Sequence, residues 1–182
     1  MLKIHPLLIS ILFAAACLSP NSSNKNKELV NVYEGPTTLF HNSCAECHGE
    51  NGSDYEDDFH HLSDGELAEK IESMMAGPAQ IIAPQKEEID ALVQYHRALR
   101  DKKLFLMVNN AASILEGLTT LKGSATPGAK VVLQKGETIL SAVSQRGEWV
   151  LNNIPSPPFI LTAEKGGSRT SFQFPDRQFN EI

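Results

Sequence analysis

Histidine and cysteine are absent beyond position 100, and Met107 is the last methionine of the 182 residues. The C-terminal half therefore lacks the ligands that a copper site of the blue-copper kind requires. Positive charge is also short. Lys and Arg number 16 against 22 Asp and Glu, a net charge of −6 at pH 7, so nothing points to a nucleic-acid partner. Long apolar runs are missing as well. Leu7 to Ala16 is too short to span a bilayer comfortably, and no second segment is longer. A chain of this length makes one ordinary domain or two small ones.

Cysteine is scarce, three in all, yet two of them stand together in Cys44-Ala45-Glu46-Cys47-His48. C-x-x-C-H reads as a c-type haem attachment site. Two thiols at this spacing can each bond to a vinyl group of one porphyrin, and the adjacent imidazole reaches the iron as proximal ligand. Gly49 then lets the chain turn away from a large flat cofactor. A zinc site would need two more ligands at suitable spacing, and the adjacent pair His60-His61 does not supply it. A thioredoxin-like C-x-x-C would need a strand-to-helix context and no histidine.

The front of the chain bears on that choice. Lys3 gives a positive start, Leu7 to Ala16 an apolar stretch, and Ala14-Ala15-Ala16 an A-x-A cleavage site, so residues 1–16 read as an export signal. Cys17 follows at once. A small-residue run ending in cysteine resembles a bacterial lipobox, although Ala14 stands where leucine is usual. The resemblance implies that Cys17 becomes an acylated first residue; ordinary cleavage at the same bond would leave a free thiol. Two thiols for haem and one for lipid account for all three cysteines. Pro20 to Glu28 is polar and cannot bury enough surface to fold, so residues 17–31 read as a flexible tether behind the lipid.

Helical signals fill the next stretch. Pro36 suits a first turn, with Leu39 and Phe40 following, and a short helix runs into Cys44. Ser63-Asp64-Gly65-Glu66 is a capping box opening a helix with Leu67, Ile71 and Met74 at i, i+4, i+7, ended by Gly77-Pro78. A last helix runs from about Gln85 to Arg100, with Ile89, Leu92, Val93 and Leu99 on one face and His96 on the exposed side. Its acids (Glu87, Glu88) lie in the first turn and its bases (Arg97, Arg100) in the last, as the helix dipole favours. After Leu104 the period changes. Lys130–Leu133, Trp149–Leu151 and Phe159–Thr162 read as strands between turns at Gly128, Gly136, Gly147 and Gly166-Gly167.

Residues 32–102 resemble a small bacterial class I cytochrome c, carried by Gly35, Phe40, Cys44 to Gly49 and the closing helix Glu87 to Tyr95. In that family the first and last helices cross on a small residue and an aromatic, roles that Gly35, Phe40 and Tyr95 could fill. The resemblance implies one covalent haem c, with iron held by His48 and usually a methionine from the loop before the last helix. Here Gln80 and Ile81 stand where that methionine would be. Met75, at the helix end, is the leading candidate for the distal ligand; Met74, His60, His61 or an open position stay as alternatives. Met74 reads as core.

Beyond a connector, 103–120, residues 121–182 resemble the small carboxypeptidase-regulatory-like or transthyretin-like β-sandwich modules. Gly123 to Leu133, Gly147 to Pro155 and Phe159 to Ala163 carry the match, with Trp149 as core. Such modules are usually non-catalytic. The fold expected is thus two-domain: an all-α cytochrome c domain and a small all-β, Greek-key-like sandwich.

The function these readings imply is single-haem electron transfer, in the periplasm or at the cell surface, on a lipid-anchored protein that is not itself an enzyme. From Glu46 to Glu72 ten carboxylates stand against Lys70 alone, a solvated face or one that steers a basic redox partner. An open distal site would instead suit a sensor of small ligands or a weak peroxidase. A third reading makes the β module an adhesion or assembly domain.

Overall fold

A proline at the first turn, a serine capping box and glycines at left-handed turns set the element boundaries in the computed structural model. It describes residues 35–55, 59, 61–77, 85–117 and 119–175. The signal, Cys17, the tether, His60 and the loop with Gln80 and Ile81 lie outside the described residues. Helix α1 (Pro36–Ser43) carries Pro36 at its first position, where a missing N–H costs nothing. A single turn, α2 (Ala45–His48), follows. Helix α3 (Asp64–Ala76) opens on Ser63, whose N–H donates to the Glu66 carboxylate at 2.9 Å while its Oγ accepts from the Glu66 N–H. Helix α4 (Lys86–Arg100) completes this part.

Strand β1 (Leu106–Val108) and helix α5 (Ala111–Leu115) come next. Then follow β2 (Leu121–Ala125), β3 (Lys130–Lys135), β4 (Thr138–Val143), β5 (Glu148–Leu151), β6 (Phe159–Lys165) and β7 (Ser168–Phe174). They pair antiparallel as two sheets, β1-β2-β5 and β4-β3-β6-β7. Alternate residues of both sheets, among them Val131, Leu133, Trp149, Leu161 and Phe174, meet in one core.

The expected division into an all-α domain and an all-β, Greek-key-like sandwich is overturned. Among the described residues, five helices and seven strands in two antiparallel sheets belong to one compact unit, with α5 set between β1 and β2. The cause is visible in β1. Its alternating side chains face two ways: Leu106 and Val108 pack into the sheet core, and Met107 packs against the helical core. Phe105 belongs to the helical core, edge-on to Tyr95 with ring centres 5.1 Å apart. A strand apolar on both faces joins helices and sheets; it does not separate them.

Helix α1 makes the second junction. Thr37 Oγ1 donates to the Gly147 carbonyl at 3.0 Å, and Thr38 Oγ1 to the Glu148 carboxylate at 2.8 Å. Gly35 touches the sheet rather than the last helix, since a Cβ there would fall 2.3 Å from Ser124 Oγ and 2.4 Å from Asn109 Nδ2. Phe40 and Tyr95 do meet, edge-on at 5.4 Å.

Gly147 sits at φ +95°, and an added Cβ would lie 2.6 Å from Thr37 Cβ; Gly136, also left-handed, has open space around it. Gly136→Ala is expected to cost about 1–2 kcal/mol from backbone conformation alone. Gly147→Ala should cost more, because it also displaces α1, and equilibrium urea denaturation of the two variants measures the difference.

Candidate functional site

Cys44 ends α1, and its carbonyl accepts from the N–H groups of Cys47 at 3.2 Å and His48 at 3.0 Å. That one turn places residues 44, 47 and 48 at i, i+3 and i+4, on a common face. Both thiols are free, Cys44 half-buried and Cys47 exposed. Burial raises the Cys44 pKa first, and the neighbouring Cys47 raises it further.

All three side chains line a cavity of about 510 Å³, within the range of roughly 300–1,000 Å³ common to cofactor and ligand sites. Leu39 and Leu92 line it from α1 and α4, Leu67, Ile71 and Met75 from α3, and Leu62 from the chain ahead of α3. Tyr55 and Phe59 lie within it as a stacked pair, ring centres 3.9 Å apart, and Tyr55 stacks in turn on His48 at 4.6 Å. The Tyr55 hydroxyl is buried with no hydrogen-bond partner, and desolvation pushes its pKa well above the ordinary phenol value.

A haem would draw on two thiols, an imidazole edge, an apolar slot and a polar group to meet its periphery. The residues present fit those needs. Cys44 and Cys47 supply the thiols and His48 the imidazole, the α1, α3 and α4 side chains form the slot, and the unpartnered Tyr55 hydroxyl is a spare donor. His48 shows its face to Tyr55, and holding an iron through a ring nitrogen would require that stack to give way. Among the described residues no three His, Cys, Asp or Glu side chains gather into a site for a bare metal ion.

The two methionines exchange the environments that spacing suggests. Met75 is 1% exposed and continues the buried row Leu67, Ile71, while Met74 is 42% exposed. Both border the cavity. Leu67, Ile71 and Met75 follow one i, i+4 ridge of α3, and the packing of that ridge into the helical core leaves Met74 outside. His61 is exposed and is not among the cavity's lining residues.

His96 was unrecognised as a site residue from its type, and it lines the cavity. It is 5% exposed, not on the solvent side of α4. Its Nδ1 lies 2.7 Å from the Leu92 carbonyl, an acceptor only, so Nδ1 carries the hydrogen. Desolvation lowers its pKa to about 4, a smaller part coming from His48. The signal was available: position 96 completes the row Ile89, Leu92, Val93 at i+7.

Comparison with protein-family models, with curated proteins and with solved structures found no match. Among the described residues no helix is long and apolar enough to cross a membrane.

Two outcomes follow for stability. Met75→Ala is expected to cost about 2–5 kcal/mol and Met74→Ala well under half of that, read as the shift in urea denaturation of the haem-free chain. The second concerns pH. An unfolded histidine titrates near ~6.5, and folded His96 near about 4. Between those values the unfolded chain binds a proton that the folded one does not. Stability therefore falls as pH drops through that window, by on the order of 3 kcal/mol, and the loss levels off below it. His96→Leu should flatten that slope in the same denaturation series.

Proposed function

We propose that this chain is an exported c-type cytochrome, carrying one covalent haem c and passing single electrons to or from a protein partner. The observation that supports it most is the single turn that presents Cys44, Cys47 and His48 together to an apolar cavity. In attachment each thiol adds its sulfur to one carbon of a vinyl group and its hydrogen to the other, so no oxidant is consumed. The bound group supplies a reversible ferric–ferrous couple, and the chain tunes its potential through axial ligands, burial and hydrogen bonds.

The chain's own residues divide the remaining work. Leu39, Leu62, Leu67 and Ile71 exclude water, which raises the energy of the extra charge on the ferric form. Tyr55 and Phe59 line the cavity as a stacked pair, and Leu92 of α4 closes one wall. The role is electron carriage, not catalysis by the chain's own acids or nucleophiles. Glu46, Glu50 and Asp54 are exposed on and beside the attachment turn, which suits a basic redox partner. An acyl group on Cys17, followed by a polar tether, would hold the unit near a membrane in the periplasm or at the cell surface.

Expression with a haem-attachment system should give a chain whose mass includes one haem after denaturation and solvent extraction. The variant with Cys44→Ala and Cys47→Ala together should lose it, and retention by that variant would refute covalent attachment through this turn. Cys17→Ser should shift the protein from membranes to the aqueous fraction with its haem in place. A mature wild-type N-terminus without lipid, read by mass spectrometry, would end the anchoring proposal.

A further inference from the structure

We infer that His96 ligates the iron of the group held by Cys44, Cys47 and His48, supplying a second imidazole through Nε2 where a methionine sulfur is usual. The inference rests on the cytochrome reading above. His96 borders the same cavity as the attachment turn, buried and walled by rings: Phe40 at 5.4 Å, Tyr55 at 5.7 Å, Phe59 at 6.2 Å and Tyr95 at 6.4 Å between centres.

One nitrogen of the ring is already committed. The Leu92 carbonyl takes the Nδ1 hydrogen at 2.7 Å, which fixes the ring's orientation and tautomer and leaves the lone pair on Nε2. A histidine that donates one ring N–H to a backbone carbonyl is prepared to bind metal through the other nitrogen. No hydrogen bond to Nε2 is made among the described residues. The Tyr55 hydroxyl, a donor with no partner, belongs to a neighbouring ring and still does not donate to it. His48 stacks on Tyr55 at 4.6 Å and His96 tilts toward the same ring at 5.7 Å, so one aromatic side chain meets both imidazoles at the edge of the cavity.

Met75 needs no ligand to explain its place. Its thioether fills the core row of α3 beside Leu67 and Ile71, as a flexible apolar side chain does. His96 borders the cavity with only Nδ1 hydrogen-bonded among the described residues.

Spectroscopy on the haem-loaded full-length chain tests the assignment. The ferric wild type should be low-spin, show no near-infrared sulfur-to-iron band, and give hyperfine couplings to two histidines when histidine is isotopically labelled. His96→Gly should become high-spin and bind carbon monoxide, and added free imidazole should restore the low-spin form. Met75→Leu should leave the wild-type spectrum unchanged. A sulfur-to-iron band lost in Met75→Leu overturns the inference, as does coupling to one histidine alone or a His96→Gly protein that stays low-spin without imidazole. Where His96→Gly does not fold, His60→Gly and His61→Gly decide the matter, since loss of the low-spin form in either overturns the inference. Haem attachment is read separately by mass. A chain with haem but without the second histidine fails here alone, whereas a chain without haem fails the cytochrome reading and this inference with it.

Discussion

The Cys44 carbonyl accepts from both Cys47 and His48, and that pair of bonds closes the turn on which the proposed chemistry depends. A turn of four residues has no stability of its own, because helix nucleation costs more than its first bonds return. It persists because α1 delivers it and α1 is held elsewhere. Phe40 is buried against Tyr95, Thr37 is bonded to Gly147, and the residue that begins the turn is also the cap of α1. Attachment turn, helical core and sheet edge are therefore mechanically one object.

Much of this was legible in the chain. Cys44, Cys47 and His48 stand out by their spacing, and the structure brings all three to one turn that lines a cavity. The Ser63–Glu66 box and the apolar row of α4 set two helices, since capping and period are local properties. The left-handed glycines at 128, 136, 147, 166 and 167 mark real turns. What failed was non-local. β2, β4 and β7 are polar enough to escape a search for apolar runs, and only pairing with β3, β5 and β6 makes them strands. The division into separate α and β domains failed at β1, whose two faces serve two cores; three residues of strand reveal nothing of what covers each face.

Met74 and Met75 show a limit of a different kind. From Leu67, i+7 lies about 20° to one side and i+8 about 80° to the other, with Ile71 at about 40° between them, so a helix can bury either. Only the packing of α3 on α4 decides. His96 was placed on the exposed side of α4, although i+7 from Ile89 puts it on the buried row, and its chemistry was missed with it. A polar ring at an apolar position reads as exposed until a carbonyl one turn earlier is seen to take its hydrogen. The buried Tyr55 hydroxyl, left without a partner, costs about 1–3 kcal/mol.

The bond between Thr37 and Gly147 spans 110 residues of sequence. A contact that long forms late, because its loop-closure entropy must be met before it contributes. A chain made or exported N-terminus first exposes Cys44, Cys47 and His48 well before β5 arrives to fix α1. During that interval the turn carrying the two thiols is loosely held, and completion of the sheet then fixes it through α1, with Cys47 still exposed in the folded chain. The C-terminal half in this way acts as a late clamp on a turn that is made early.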